Sequence, residues 1–319
     1  MARGIERIIS VTLFWKTESL VKFELKKHQM YGFLQIRPTP SPAEITEFYA
    51  KEFYSTNYKS LNNSAIDVQL ADKEFHDSHR EDICASIESL AGKSLRDLTV
   101  LDVGCGWAQM LIYMREKGAR CFGFDPASEA VKYANSQGLS VRQAGMENLD
   151  VFPSVQFDVV MLLNVLEHLA DPVGAMRQIC SSVLRPGGIL IVEVPNEFNA
   201  FQVCGQKAND LAEWWVSPPA HLNYFSNDSI IALLNGSGFT TAFTEASFPM
   251  EMFLLFGDNY VDNRAIGRAC HEKRVAFERN LRMQGGTDAL RAFYRSLAGQ
   301  NLGRTVIAFA TSPHQRGGG

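Results

Sequence analysis

Between residues 98 and 246 short apolar runs alternate with amphipathic stretches, and this rhythm limits the possible folds more than any other feature of the chain. Leu98–Val103, Arg120–Phe124, Ser140–Gln143, Phe157–Leu163 and Ile189–Val194 read as strands. Between them Trp107–Lys117 and Ser128–Gln137 read as helices closed by Gly118 and Gly138. Asp171-Pro172 opens a third, with Val173, Met176, Ile179 and Val183 as its apolar stripe, and Pro186-Gly187-Gly188 turns the chain into the fifth strand. Ser226 caps a helix carrying Ile230, Leu233 and Leu234 that ends near Gly236 and Gly238, and Thr240–Ala246 comes next as a sixth strand. Strands alternating with helices at this spacing predict a mainly parallel sheet covered on both faces. Thr305–Thr311 reads as the last strand. The helical pattern of residues 248–304 before it is too long for a simple connection, so it reads as an inserted cap.

The amino-terminal part is less regular. Residues 1–40 show no readable pattern. Ser41-Pro42-Ala43-Glu44 has the form of a helix start, and Ile45, Phe48 and Tyr49 would share one face of that helix. Residues 55–80 are polar and aromatic without a period, and Asp82–Leu90 reads as a helix. The expected organisation is a partly helical lead-in over residues 1–90 that covers the active site, a core over 91–247, a helical cap over 248–304, and the last core strand and tail over 305–319.

Bulk properties narrow the class. A chain of 319 residues with 46% hydrophobic content can bury one large core, and a net charge of −4 gives no overall signal for nucleic-acid binding. The longest apolar runs, Ile8–Trp15 and Val159–Leu163, are too short to span a bilayer. Arg3 and Arg7 precede the first of these in the manner of a signal peptide, but Lys16 ends it with no small-residue cleavage site, so none is expected. Cys84, Cys105, Cys121, Cys180, Cys204 and Cys270 form no CxxC pair and read as free thiols of a cytoplasmic protein.

The chemistry concentrates in Val100-Leu101-Asp102-Val103-Gly104-Cys105-Gly106, which joins a strand to a helix. Glycine there lets the backbone approach a ligand, and the helix start presents free N–H groups. Asp125 ends the second strand about 20 residues past Gly104, where an acidic side chain would grip a ribose hydroxyl. The bland alternative is an ordinary tight turn with Asp125 as a helix cap. A dinucleotide fingerprint would need a third glycine where Gln109 stands, which disfavours a nicotinamide-dependent oxidoreductase.

Residues 98–245 resemble class I S-adenosylmethionine (SAM)-dependent methyltransferases, nearest the small-molecule group of ubiquinone-pathway O-methyltransferases and natural-product enzymes. The resemblance rests on Val100–Gly106, Phe124-Asp125-Pro126, Phe157-Asp158-Val159-Val160, Asn164-Val165-Leu166-Glu167-His168, Leu184-Arg185-Pro186-Gly187-Gly188 and His221-Leu222-Asn223-Tyr224-Phe225-Ser226. It implies an α/β, Rossmann-like, seven-stranded and mostly parallel sheet with helices on both faces, an antiparallel last strand and a helical insert before it. It also implies SAM as cofactor and S-adenosylhomocysteine (SAH) as product. The Gly104-Cys105-Gly106 backbone would lie against the methionine part, with Asp102 orienting it. Asp125, with Pro126 beside it, would hold the ribose, Gly145-Met146-Glu147 would border the adenine, and Leu163 and Asn164 would sit near the sulfonium. Two positions depart from the family pattern: Ala108 where a third glycine is frequent, and Gly145 where an aspartate often bonds the adenine. Phe33-Leu34-Gln35-Ile36-Arg37-Pro38-Thr39-Pro40 with Glu47-Phe48-Tyr49 resembles the lead-in of a subgroup in which it follows a cysteine-rich zinc module. Residues 1–40 hold no cysteine and only His28, so no metal site is expected.

Methyl transfer is an in-line displacement that needs an oriented acceptor and, for a hydroxyl, a group to take its proton. His221, His168 and Glu193 are the candidates for that group, although a structural histidine is the equal or favoured reading for His221 and His168. Asn196, Trp214, Trp215 and Tyr224 are candidates for the acceptor side. Residues 262–304 carry nine basic and four acidic side chains. Solvated helix faces explain this by default, and an anionic acceptor (sugar nucleotide, phosphate ester or carrier-bound acid) is the sharper reading. The leading expectation is a small-molecule methyltransferase, with a non-catalytic SAM-binding scaffold and an RNA or DNA methyltransferase as alternatives. Nucleic acid and membrane are not expected partners, and the insert could either cap its own site or pair two subunits as a homodimer.

Overall fold

A computed structural model describes residues 7–12, 20–41, 43–45 and 66–314. Seven strands form the main sheet: β4 (Thr99–Val103), β5 (Arg120–Asp125), β6 (Ser140–Gln143), β7 (Phe157–Leu163), β8 (Leu184–Pro195), β10 (Thr240–Ala246) and β11 (Thr305–Thr311). Their order is β10-β11-β8-β7-β4-β5-β6, with β4–β8 parallel and β11 antiparallel to both neighbours. This is the Rossmann-like architecture expected. From β4 the chain builds outward to β5 and β6, then returns to place β7 and β8 on the other side. The strand order therefore reverses at the carboxyl end of β4, where open α/β sheets hold their ligands.

β4 is buried along its whole length, and β7 at all but Asp158 and Leu163, because helices cover both faces. Alternate residues separate into two cores. Leu101, Val103, Val160, Leu162, Leu190 and Val192 belong to one, while Val100, Val159, Met161, Ile189 and Ile191 belong to the other. The helices are α3 (Gln109–Glu116), α4 (Ser128–Ser136), α5 (Pro172–Gln178) and α7 (Asn227–Gly236). Two caps act as the sequence indicates. Asp171 accepts from the Gly174 N–H at the start of α5, and Ser226 and Ser229 form a capping box on α7.

Several elements differ from the sequence reading. Residues 1–40, without a readable pattern, contain β1 (Arg7–Thr12), β2 (Leu20–Lys27) and β3 (Leu34–Arg37). These form an antiparallel ribbon extended by β9 (Asn223–Tyr224). Phe23, Leu25 and Ile36 of the ribbon pack on Leu222 and Tyr224, tying the loop after β8 to the amino-terminal part. The aperiodic stretch before residue 82 is helical: α1 covers Ile66–Ala71 and α2 covers Lys73–Ala91. The first half of α2 carries histidine, arginine and aspartate toward another helix instead of an apolar stripe toward the sheet, so no period marked it. The fifth strand begins at Leu184, and its register against β7 shifts where Pro186–Gly188 intervene. The Ser41 helix start holds its hydrogen bonds, Glu44 N–H to Ser41 Oγ and Ser41 N–H to Glu44 Oε2. Pro42, Phe48 and Tyr49 lie outside the described residues.

The insert contains α8 (Glu251–Leu255) and α9 (Arg264–Gly299), the latter broken at Gly286, whose φ of 78° and ψ of 166° favour glycine. α6 (Ala200–Ala208) packs on α8. The first leg of α9 runs alongside α2 through Arg282–Asp82 and His79–Glu278. The second leg returns and ties Arg291 to Ser86 of α2 and Glu245 of β10.

Candidate active site

The loop after β4 closes on its neighbour strand. Gly104 and Cys105 both donate to the Phe124 carbonyl, at 2.9 and 3.1 Å, and Gly104 and Gly106 have φ of 65° and 50°. A side chain at Gly104 would put Cβ 2.7 Å from Val165 Cγ2 and 3.4 Å from Met146 Sδ, so the loop passes through a gap only glycine fits. Ala108, where the family pattern has glycine, adopts φ 55° and caps α3. An alanine can hold that left-handed conformation at a cost of about 1–2 kcal/mol.

Asp125 is buried, with Oδ2 accepting from the Gly106 N–H and Oδ1 from the Ala127 N–H, both at 2.8 Å. It therefore both braces the glycine loop and caps the approach to α4, so the structural and the ribose-binding readings describe one side chain. Each carboxylate oxygen has two lone pairs, so these bonds do not exhaust what it can accept. Asp102 lies beneath, 3% exposed, with Oδ1 unpartnered. Burial first, then the Asp125 charge, pushes its carboxyl up to about 8. Burial also raises the Cys105 thiol well above its ordinary range, so it stays protonated and serves through its backbone. Pro126 is half-buried, its carbonyl accepting from Gln143. Gly145 and Met146 turn the chain after β6 so that Met146 lies against Gly104, and Glu147 accepts from the Ala170 N–H at 2.7 Å.

On the other side of β4, β7 ends at Leu163, half-buried, followed by Asn164, exposed with φ 57°. The Asn164 N–H donates to the Glu193 carbonyl at 2.9 Å. Burial raises the Glu193 carboxyl from its usual range, while hydrogen bonds from Thr305 and Asn164 side chains and the charge of His79 pull the other way.

The two histidines named from sequence meet in a second, buried group. His168 Nδ1 donates to the Ala220 carbonyl at 2.6 Å, His221 Nδ1 lies 3.3 Å from Glu197 Oε1, and the rings are 5.2 Å apart. Burial lowers His168 to about 3 and His221 to about 4, so both are neutral and weakly basic near pH 7. Burial likewise raises Glu167 and Glu197 well above the carboxylate range, and Oε2 of each has no partner. Ligand atoms of Glu167, His168 and His221 lie within 4.8 Å of one another, which makes them the one group among the described residues able to hold a metal ion.

The acceptor-side candidates divide. Asn196 is buried and spends its amide on the Gly303 carbonyl, and its N–H donates to Arg304, so it fixes β11 to β8. Trp215 is buried edge-on to Trp214 at 4.8 Å and to Phe198 at 5.6 Å, and Tyr224 bonds the His221 carbonyl from within the ribbon core. Trp214 is half-buried and is the exposed side of this aromatic stack. Of the nine basic residues in 262–304, five are paired: Lys273 with Asp258, Arg282 with Asp82, Arg291 and Arg295 with Glu245, and Arg304 with Glu251. Three of these pairs, on Asp82 and Glu245, tie the insert to α2 and β10, and the two on Asp258 and Glu251 lie within it.

Sequence reasoning missed a polar cluster between α2 and α9. His79 Nε2 is 2.8 Å from Glu278 Oε2, and Tyr294 donates to Glu278 Oε1 at 2.7 Å. Arg274 stacks over Phe75 with its guanidinium 4.5 Å from the ring centre and contacts His271. No spacing could have revealed it, because the partners lie 199 residues apart.

Residues 75–242 match a family described as "Methyltransferase domain". A ubiquinone biosynthesis O-methyltransferase of Caulobacter vibrioides is 32% identical over 130 residues, covering 39% of this chain and 51% of that relative. One of Marinobacter nauticus is 39% identical over 116 residues, covering 34% and 46%. The chain thus spans about half the length of these curated relatives. Among solved structures, the plantazolicin methyltransferase BpumL in complex with SAH superposes with a TM-score of 0.50 at 14% identity, over 86% of this chain and 95% of that one.

Proposed function

We propose, from the premise that the chain belongs to the methyltransferase-domain family, that it moves the methyl group of SAM onto a hydroxyl of a small-molecule acceptor. The observation that carries this reading is the coupling of Asp125 to the glycine loop. One carboxylate at the end of β5 fixes the Gly106 N–H next to the strand-order reversal, on the sheet edge where β7 and β8 carry Asn164 and Glu193. SAM supplies an electrophilic methyl group on a sulfonium. The residues hold it and orient the acceptor: Gly104–Gly106 and Asp102 for the methionine part, Asp125 with Pro126 for the ribose, Gly145–Glu147 for the adenine, and Leu163 and Asn164 toward the sulfonium. A hydroxyl acceptor is favoured because relatives that are over 30% identical are named O-methyltransferases.

Of the bases named from sequence, Glu193 fits better than His168 or His221. A carboxyl that burial raises above its usual range is better matched to proton transfer than an imidazole lowered to about 3 or 4. An anionic acceptor has weaker support once five of the insert's basic residues are counted as paired, and a nucleic-acid substrate loses its support for the same reason. No described helix is long and apolar enough to cross a membrane, and six free cysteines suit the reducing cytosol.

The test is SAH release from SAM with a panel of hydroxyl, amine and carboxylate acceptors. Turnover confined to hydroxyl acceptors supports the reading. SAM binding with no turnover on any of them makes the non-catalytic scaffold the better description.

A further inference from the structure

We propose that Glu167, His168 and His221 form a site for one divalent cation of the zinc class, which fastens the loop after α6 to the segment after β7.

The three ligands come from two segments that are already hydrogen-bonded to each other. Leu222 N–H donates to the Glu167 carbonyl at 2.8 Å, and Asn223 Nδ2 donates to the Leu169 carbonyl at 2.7 Å. That seam brings one ligand atom from each of the three side chains within 4.8 Å of the others. His168 Nε2 stands 3.7 Å from Glu167 Oε1. Two ligands of one tetrahedral zinc ion lie about 3.4 Å apart, so this pair needs little movement to share an ion. The rings are oriented as ligand histidines are. A ligating imidazole gives its other N–H to a carbonyl or carboxylate, which fixes the tautomer. His168 Nδ1 has the Ala220 carbonyl at 2.6 Å, and His221 Nδ1 has Glu197 Oε1 at 3.3 Å. Both rings are neutral near pH 7, the form that binds metal.

The cluster is rich in acceptors and poor in donors. A neutral imidazole has one N–H to give, yet Ala220, the Asn164 backbone and Glu167 all face His168 as acceptors. Glu167 is 1% exposed and Glu197 6%, and Oε2 of each has no partner among the described residues. The charges that act on Glu167 are those of Glu197 and Glu193, which repel its own. Arg304, the cation that acts on Glu197, is bonded to Glu251 and Tyr260. A buried carboxylate in such surroundings needs a proton or a metal ion. Two imidazoles beside it favour a metal of borderline softness over calcium or magnesium, which take oxygen ligands. Glu197 then acts as the positioning residue that holds His221 at Nδ1.

The test uses the full-length protein after chelator treatment and zinc chloride as the probe. Calorimetry should show one equivalent bound with a Kd in the micromolar range or tighter. Glu197→Ala should weaken binding about 10–100-fold, and Glu167→Gln and His221→Gln by more than that. X-ray absorption on the wild-type zinc complex reads the ligands without any variant. It should show imidazole nitrogen and carboxylate oxygen at about 2.0–2.2 Å and no sulfur at about 2.3 Å. Hydrogen exchange across residues 213–222 should slow when zinc binds. A wild type that binds no zinc would overturn the site and leave protons on the buried carboxylates. Sulfur in the zinc shell, wild-type affinity in Glu167→Gln, or exchange in the loop that zinc leaves unchanged would overturn it too.

Discussion

Asp102 and Asp125 lie close enough for the charge of Asp125 to raise Asp102, and two backbone N–H groups, of Gly106 and Ala127, go to Asp125. Asp102, raised by burial and by the Asp125 charge to about 8, carries the proton near neutral pH with Oδ1 unpartnered. Two outcomes are expected. If Asp102 meets the cofactor's ammonium as a carboxylate, binding must expel its proton. SAH affinity should then rise with pH up to about 8 and level off above it, and calorimetry in buffers of different ionisation enthalpy should detect the released proton. Affinity flat between pH 6 and 9 would refute this. For the protein without cofactor the sign is opposite. A carboxyl raised in the folded state stabilises most below its unfolded value, and that contribution is lost as pH climbs through the folded value of about 8. These residues were legible because strand, glycine loop and acidic strand end lie in one short stretch of sequence. The histidines were legible as residues but not as roles. Only the fold shows that His168 and His221 pack ring against ring where burial suppresses their basicity.

Among the elements, α9 was visible as helical sequence, but its reversal was not, because Gly285-Gly286 inside a helical pattern does not say which way the chain turns. Gly286 sits in a backbone region that side chains avoid. Gly286→Ala should cost about 1–3 kcal/mol in urea denaturation, and a neutral result would mean that the two legs are not held apart at this residue. The β1-β2-β3-β9 ribbon escaped detection for a different reason. Its β3–β9 pairing joins Leu34 to Tyr224, so its fourth strand comes from a segment 190 residues away. The first half of α2 was missed because its buried face is polar, and its partners come from the insert.

For the molecule as a whole, the insert is bonded to the core through charges placed in sequence as if for a ligand. Glu245 of β10 accepts from Arg291 and Arg295, and Arg291 also reaches Ser86 of α2, so one carboxylate links sheet edge, insert and lead-in. Glu245→Ala should cost about 3 kcal/mol, the lower end for breaking a buried pair because Arg295 is half exposed, and chemical denaturation would read it. A loss below about 0.5 kcal/mol would mean that the network is ornamental. The charge excess of the insert was thus legible as a count, but its purpose was not, since the balancing carboxylates Asp82, Glu245, Glu251 and Asp258 lie outside the basic segment. The most direct measurement is a calorimetric titration with SAM and SAH, with NAD as control, on wild type and Asp125→Ala. Micromolar binding of both sulfur nucleotides, no binding of NAD, and a loss of at least about tenfold in the variant are expected. Wild-type protein that binds neither sulfur nucleotide, or a variant that binds them as tightly as wild type, would contradict the assignment of the glycine loop and Asp125 as the cofactor site.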